Sequence, residues 1–462
     1  FLTLYLLVIY IPAGKGQQMS AFTQGLSGLR ADQKAIEVTS NNIANSNAVG
    51  FKSSRAQFGD VYNSLYFGGS TKNIGKGTSI MDVDQQFTQG SVVPTGNPLD
   101  LAISGDGFFK VRTTQGAFHY TRAGMFGLDP NGFVENSSGD RLQMFPLDPN
   151  TGNPINTAED MVISDAGLPP SASTEAAIRF NLDARDKPAV NSNFDPLDST
   201  TYNSSSTVVL YDELGRKHNL NLYWTRVDGN PADAVDVGNQ WQVRAQLDGV
   251  PVDLAMKDPV TGQVIDPASF ADNQSLNFTP VGALVDSTAA APNTALFEVD
   301  LSNWIATNGR FSESGRVDLD MRNSTQFGAG FVVQDIAQDG YEAANFTGFK
   351  IEESGRVVLN YSNGETKDAG VVSLFRFRNP DGLVQVGENK WQATPEAGAE
   401  LTSLSEDSAF ANIIQGSLEE SNVDLTEELV KLITFQRSYQ ANSQSIKTQD
   451  ALLQTATNLR NG

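Results

Sequence analysis

The stretch at 424–460, DLTEELVKLITFQRSYQANSQSIKTQDALLQTATNLR, decides how the chain is organised. Leu425, Leu432, Tyr439, Ile446 and Leu453 fall at seven-residue intervals, Leu429 supplies a second seam position, and Gln436, Ser443 and Asp450 occupy that position in later repeats. This spacing predicts a long α-helix with one continuous apolar stripe and a polar remainder. Asp424 stands where an N-cap belongs, and Glu427 three residues later completes a capping box. A helix so long and so thinly apolar cannot bury enough surface alone and requires a partner.

A partner pattern lies at the other end. Phe22, Leu26, Leu29, Gln33, Ile36, Ser40 and Ile43 are spaced alternately by four and three, which predicts a helix over about 20–44. Ala21, Ala31 and Ala35 add helix propensity. The pattern ends in SNNIANSNAVG (40–50), where Asn41, Asn42, Asn45 and Gly50 favour a turn. Two helices at opposite ends can pair within one chain or between copies, and their length and polar remainder favour self-assembly. The candidate assembly interface is therefore Phe22, Leu26, Leu29, Ile36, Ile43, Leu425, Leu429, Leu432, Tyr439, Ile446 and Leu453. Ahead of the first helix, FLTLYLLVIYIP (1–12) is apolar but too short to span a bilayer. Residues 1–18 read as upstream sequence translated ahead of Met19 and are set aside.

Between the ends the chain reads as β-structure. LDLAISGDGFFKV (99–111) alternates around Gly105-Asp106-Gly107, and Phe118–Thr121 and Phe126–Val134 give further strands, the second around Asp129-Pro130-Asn131-Gly132. Short strand patterns follow at 206–211, 220–224, 241–247 and 296–299, then at 349–359, 371–377 and 383–386, punctuated by turn dipeptides such as Asp228-Gly229 and Asp339-Gly340. The loop-rich texture from about 165 predicts an inserted domain with one entry and one exit. The fold class is thus a mainly β, multidomain protein with terminal α-helices forming a coiled-coil-like inner domain, its domains discontinuous and nested. The boundaries are 19–50 with 415–462 for the helical domain, 51–92 for a spacer, 93–164 with 341–414 for a β core, and 165–340 for the inserted β domain.

Composition removes most chemistry. With 462 residues, 39% hydrophobic and 19% charged, the chain can fill several cores, while 41 Gly and 19 Pro exclude a continuous rod of helix. It has no cysteine, and only His119 and His218 as histidines, so disulfides, thiolate metal sites and histidine relays lack material. A formal charge of −22 disfavours nucleic acid and anionic membranes. That charge sits almost wholly in the middle, since 19–50 is neutral and 418–462 carries −2. No phosphate loop, zinc-protease motif or nucleophile elbow occurs. Asp82 and Asp84 can share a strand face, but they read as a solvated strand near a turn. The run from Asp129 lacks glycine at the sixth position of a calcium loop, where Val134 stands. No catalytic, cofactor or metal site is expected. Gly50, Phe51, Gly105, Gly107, Asn131 and Gly132 are motif or turn positions.

These motifs have a counterpart. MSAFTQGLSGLRADQKAIEVTSNNIANSNAVGFKSSRAQF from Met19, NPLDLAISGDGFFKV (97–111), YTRAGMFGLDPNGFV (120–134) and the stretch 417–460 together resemble the family of bacterial flagellar hook proteins, within the axial proteins that also build the rod. The size of the middle and GLVQVGENKWQATPEAG (382–398) look more like hook than distal rod. The resemblance implies a non-enzymatic subunit without cofactor or metal. It implies passage unfolded through the flagellar type III export apparatus to the cell exterior, and polymerisation beneath a hook cap into a curved helical tube that transmits torque. It further implies contact with distal rod and hook–filament junction proteins, and no lipid insertion. A distal-rod subunit or a surface adhesin-like β module are the alternative readings.

Overall fold

The computed structural model describes residues 14–61, 77–149, 151–191, 193–227, 239–258, 263–264, 271, 274–279, 281–285, 295–402 and 411–461. The chain forms two compact units, one from the stretches up to Ser164, Gly348–Leu359 and from Thr366 onward, the other from Asp165–Thr347 and Asn360–Glu365.

In the first unit α1 (Gly14–Ala44) begins upstream of the predicted position near 20 and runs through Met19. It leads into an antiparallel hairpin of β1 (Ser54–Asp60) and β2 (Thr78–Gln85), within the stretch the sequence reading assigns to a spacer; the solvated strand expected at Asp82 and Asp84 is β2. The hairpin leans on α1: the Ser27 hydroxyl accepts from the Thr78 amide at 3.3 Å, and the Asn42 side chain exchanges two hydrogen bonds with the Ser54 backbone, at 2.8 and 2.9 Å. Its strands escape a period-two reading because both faces are mixed. Met81, Phe58 and Val83 stay exposed, so no alternation of buried and solvated positions marks them.

The β core follows. β3 (Val92–Pro94) pairs with Ser417–Glu419, and β4 (Leu101–Gly105) with Ala411–Gln415, so the returning chain is stitched to the outgoing one just ahead of the C-terminal helix. β5 (Phe108–Arg112) pairs with β6 (Phe118–Thr121), Arg141–Phe145 and Leu374–Phe377. The expected strand pair around Gly105-Asp106-Gly107 is therefore not a hairpin. Gly105 (φ 114°) and Gly107 (φ 140°) take conformations closed to other residues, and the chain uses them to pass from one sheet to another. Asn131-Gly132 does serve a hairpin, between Gly127–Leu128 and Val134–Glu135, with Gly132 at φ 84° and Asp129 accepting the Asn131 and Phe133 amides. Phe108, Tyr120, Phe145, Phe375, Phe377 and Trp391 close the core over Phe87 as an aromatic cluster, most pairs edge-on or tilted.

The second unit is one large sheet. Its strand order is 204–211, 217–227, 240–247, 250–256, 296–300, 316–320, 175–183 and 325–327. Glu175–Asp183 runs parallel to Arg316–Asp320 and to Thr325–Phe327, and antiparallel to Val332–Gln338. Strand patterns expected at 206–211, 220–224, 241–247 and 296–299 lie inside longer strands. Phe180, Trp224, Trp241, Phe297 and Phe311 are buried in one core, to which α2 (Ser302–Asn308) adds Trp304. The expected turn at Asp228-Gly229 lies outside the described residues. The C-terminal helix α3 (Leu425–Asn461) belongs to the first unit.

Candidate functional site

Two arrangements in the first unit bear on function, namely the pairing of α1 with α3 and the junction that fixes both helices to the β core. The helices run antiparallel. Asn42 donates to Glu428 at 3.1 Å near one end of the pair, and Asn442 donates to Asp32 at 2.8 Å further along. Small residues bring the backbones together. A Cβ on Gly25 would stand 2.8 Å from Ile446 Cγ1, and one on Gly28 the same 2.8 Å from the Asn442 amide. Glycine inside a helix costs about 1 kcal/mol against alanine, so these two positions are tolerated for close approach. Gly25→Val should therefore force Ile446 out of its site and lower the thermal midpoint of the helical pair, read by circular dichroism at 222 nm.

The buried stripe of α1 is Ala31, Ala35, Thr39 and Asn42, not the apolar one. Leu26, Leu29, Ile36 and Ile43 are half-buried and Phe22 is 40% exposed. On α3 the less exposed positions are Glu428, Lys431, Leu432, Phe435, Ser438, Asn442, Ser443, Ile446 and Gln449. Leu425, Leu429, Tyr439 and Leu453 remain 47, 43, 40 and 37% exposed, and Val430, Ile433, Leu452 and Leu459 are open as well. Of the expected interface, Ile446 meets α1 directly and Leu432 is half-buried, while much of the remainder faces water in the single chain. Burying the exposed half of one such leucine is worth about 1 kcal/mol, so several together favour association.

At its start α3 is capped as expected by Asp424, whose carboxylate accepts the Thr426 and Glu427 amides at 2.8 and 3.1 Å. Glu427 instead reaches Lys431 one turn on, at 2.8 Å, and Glu428 joins it at the same distance. That pairing raises the Lys431 ammonium above its ordinary value despite burial.

The junction is built around Glu419, which the sequence reading does not single out. Its carboxylate is wholly buried and holds the Lys52 ammonium at 2.6 Å, the Arg122 guanidinium at 3.1 Å and the Gly90 amide at 2.9 Å. Burial pushes Lys52 below its ordinary value, opposed by Glu419. Lys52 also donates to the Thr88 carbonyl, and Arg122 to the Gly105 carbonyl. The Glu419 carbonyl accepts from Gly50, which sits at φ 67° with its α-carbon so close to Arg122 and Ala123 that a Cβ would lie 2.4 Å from the Ala123 nitrogen. Phe51 is buried beside it, and Asn389 donates to the Val49 carbonyl. Asn422 holds the other strand of the junction, accepting from Ser53 and donating to the Gln86 carbonyl. Asn41 and Asn45 bond each other at the end of α1. One carboxylate thus ties together the segment leaving α1, the segment entering α3 and the β core.

The residues considered for chemistry are held structurally. His119 lies on β6 opposite Val111. His218 Nδ1 is 2.6 Å from Asp248 and Nε2 3.3 Å from Asp212, with Trp304 and Phe311 against the ring. Asp212 also accepts the Leu214 and Arg216 amides and the Arg216 guanidinium, so the arrangement staples a turn. Asp84 pairs with Arg55 at 3.8 Å and accepts from Gln86. Burial, then the Asp84 and Asp82 carboxylates, push Asp381 above its ordinary 3.8. A carboxyl raised in the folded state destabilises as pH climbs through the range above 3.8, because the folded form holds its proton more tightly than the unfolded. Asp381→Asn should therefore stabilise the protein at pH 7, and the gain should vanish near pH 3, measured by denaturant melts at both values. Among the described residues no group of three or more acidic or histidine side chains is placed to hold a metal, and no helix is long and apolar enough to cross a membrane.

The chain matches four family models in order: Flagella basal body rod protein (23–52), Flagellar hook protein FlgE/F/G D1 domain (102–170), Flagellar basal body protein FlaE D2 domain (181–341) and Flagellar basal body rod FlgEFG protein C-terminal (414–459). Terminal helices clamped to a β core, with a further β unit inserted, thus define an axial protein of the flagellar rod and hook class. The flagellar hook protein FlgE of Escherichia coli K12 is 34% identical over 448 residues, spanning 95% of this chain and all of the relative. Its counterparts in Salmonella typhimurium LT2 and Treponema pallidum Nichols are 32% and 30% identical over 95% and 96% of this chain. The crystal structure of the Helicobacter pylori flagellar hook protein FlgE2 covers 71% of this chain at a TM-score of 0.51 and 15% identity, a likeness of fold. The chain belongs to the flagellar hook protein family.

Proposed function

We propose that this chain is the structural subunit of a flagellar hook, a non-enzymatic protein that polymerises into a flexible curved tube and passes motor torque from rod to filament. The observation that carries the reading is α3 itself, 37 residues long with Leu425, Leu429, Val430, Ile433 and Leu452 unpaired in the single chain. Family membership over nearly the whole chain supports hook rather than distal rod. In this reading α1 and α3 form the inner wall, their exposed apolar residues meeting neighbouring copies and their Gln, Asn and Ser facing a wet lumen. The β units carry weak polar contacts between copies that slide as the tube bends. The subunit travels through the type III export apparatus, adds beneath a hook cap, and meets rod and junction proteins at the tube's ends.

The test is complementation of a bacterium lacking its own hook subunit. Curved hooks and restored swimming support the reading. Straight, rigid tubes under all conditions point to a distal-rod role.

A further inference from the structure

Neighbouring strands of the second unit, Val250–Met256, Leu296–Asp300 and Arg316–Asp320, set a lysine beside two carboxylates. Glu298 lies opposite both Ala255 and Asp318 in the register, so Lys257, two residues past Ala255, shares their face of the sheet. The Lys257 amide donates to the Leu296 carbonyl at 2.8 Å and fixes the residue at the strand end. Its ammonium reaches over the middle strand and donates to both oxygens of Asp318, each at 2.6 Å, with Glu298 Oε2 at 3.7 Å. Arg316 holds the other Glu298 oxygen at 2.6 Å and keeps that carboxylate beside the pair. The Lys257 and Glu298 side chains are 10 and 11% exposed, whereas Asp318 is 32% exposed and lines a cavity of about 320 Å³.

We propose that Lys257 and Asp318 condense into an intramolecular isopeptide bond, with Glu298 relaying the protons. A nitrogen equally close to both oxygens of a carboxyl group stands about 3 Å from its carbon, which is an attack distance. Two of the three ammonium hydrogens pass by way of Glu298 Oε2 to one Asp318 oxygen. The Nζ lone pair so freed bonds to Cγ, that Cγ–O bond breaks, and the oxygen leaves as water into the cavity; nothing is oxidised or reduced. An ion pair held out of water is costly, and the amide removes both charges. Lys390 also meets two carboxylates, Asp140 and Glu388, but Glu388 is 65% exposed and Asp140 accepts through one oxygen, so the buried relay and the approach to carbon are both missing there. The bond joins residues 61 apart and spans the middle strand, so it restricts the unfolded chain and resists pulling the sheet apart. It is a property of the single chain and does not depend on assembly.

The test is intact mass spectrometry of the purified full chain, followed by proteolytic mapping. The parent should be lighter than its sequence by one water, and mapping should recover a branched peptide joining Lys257 to Asp318. Lys257→Arg keeps the charge pairing and should show the full sequence mass. Glu298→Gln should close the bond about a hundredfold more slowly, the loss expected for a missing proton relay. Asp318→Asn is the sharpest variant: the same attack expels ammonia instead of water and yields the same amide, so its mass should converge on that of the parent. A salt bridge alone gives no such convergence, and this comparison still decides if Glu298→Gln fails to fold. A parent at its full sequence mass overturns the inference and leaves an ordinary ion pair. So does a water loss that maps elsewhere, to Lys390 or to a backbone imide. In either case the assembly reading stands.

Discussion

Replacing Glu419 by alanine should unfold the junction between the terminal helices and the β core, a loss of about 3–5 kcal/mol for a broken buried ion network. The size follows from what remains. Lys52 and Arg122 are 0 and 3% exposed at their side chains, and without Glu419 both are buried cations with no carboxylate between them. The Gly90 amide loses its acceptor as well. Lys52 already lies below its ordinary value through burial, so losing Glu419 should push it further toward the neutral amine. Glu419→Gln keeps the shape and an acceptor and should retain part of the stability; Lys52→Met, which leaves the Arg122–Glu419 pair intact, should cost less than Glu419→Ala. Urea melts followed by the near-ultraviolet signal of the buried tryptophans, Trp391 in the β core among them, and by helix content would separate loss of the junction from loss of the sheets. Equal stability of Glu419→Ala and the parent would show that the network does not hold the helices.

The second large effect is expected at Leu429, where an aspartate should abolish tubes while leaving the β units folded. Leu429 is 43% exposed in the single chain, so the substitution removes little internal packing. In a tube it would place a carboxylate in an apolar contact between copies. Losing the burial of its exposed half is worth about 1 kcal/mol, and an unpaired buried charge adds about 2 kcal/mol or more, so the critical concentration should rise by about two orders of magnitude. Leu432→Asp should block assembly too, but Leu432 is half-buried and the single chain should also lose some helix. Normal tubes from either variant would contradict the interface placed on this face.

Much of the architecture is legible in the sequence because it is written in local periodicity. The seven-residue spacing from Leu425 marks α3, and the alternations of Ser204–Tyr211 and Gln240–Leu247 mark strands with one buried face. Glu175–Asp183 alternates just as clearly, with Ala176, Ile178, Phe180 and Leu182 buried, yet it lies beside a loop-like stretch and is passed over. What periodicity does not show is which stripe faces which partner. On α1 the side buried in the single chain is the small-residue stripe at Ala31, Ala35 and Thr39, while the larger apolar residues stay half open. The junction was invisible for another reason. Lys52, Arg122 and Glu419 are far apart in sequence, and the fold, including the pairing of β3 with Ser417–Glu419, brings them together. The one local signal was a lysine directly after the buried Phe51, at the end of an Asn-rich turn.

The most direct measurement is electron microscopy of residues 19–462, concentrated at high salt, beside a copy ending at 424. Self-assembly through the terminal helices predicts curved tubes from the longer chain and single folded subunits from the shorter. Tubes from both, or single subunits from both even when the protein is expressed with a hook cap, would contradict it.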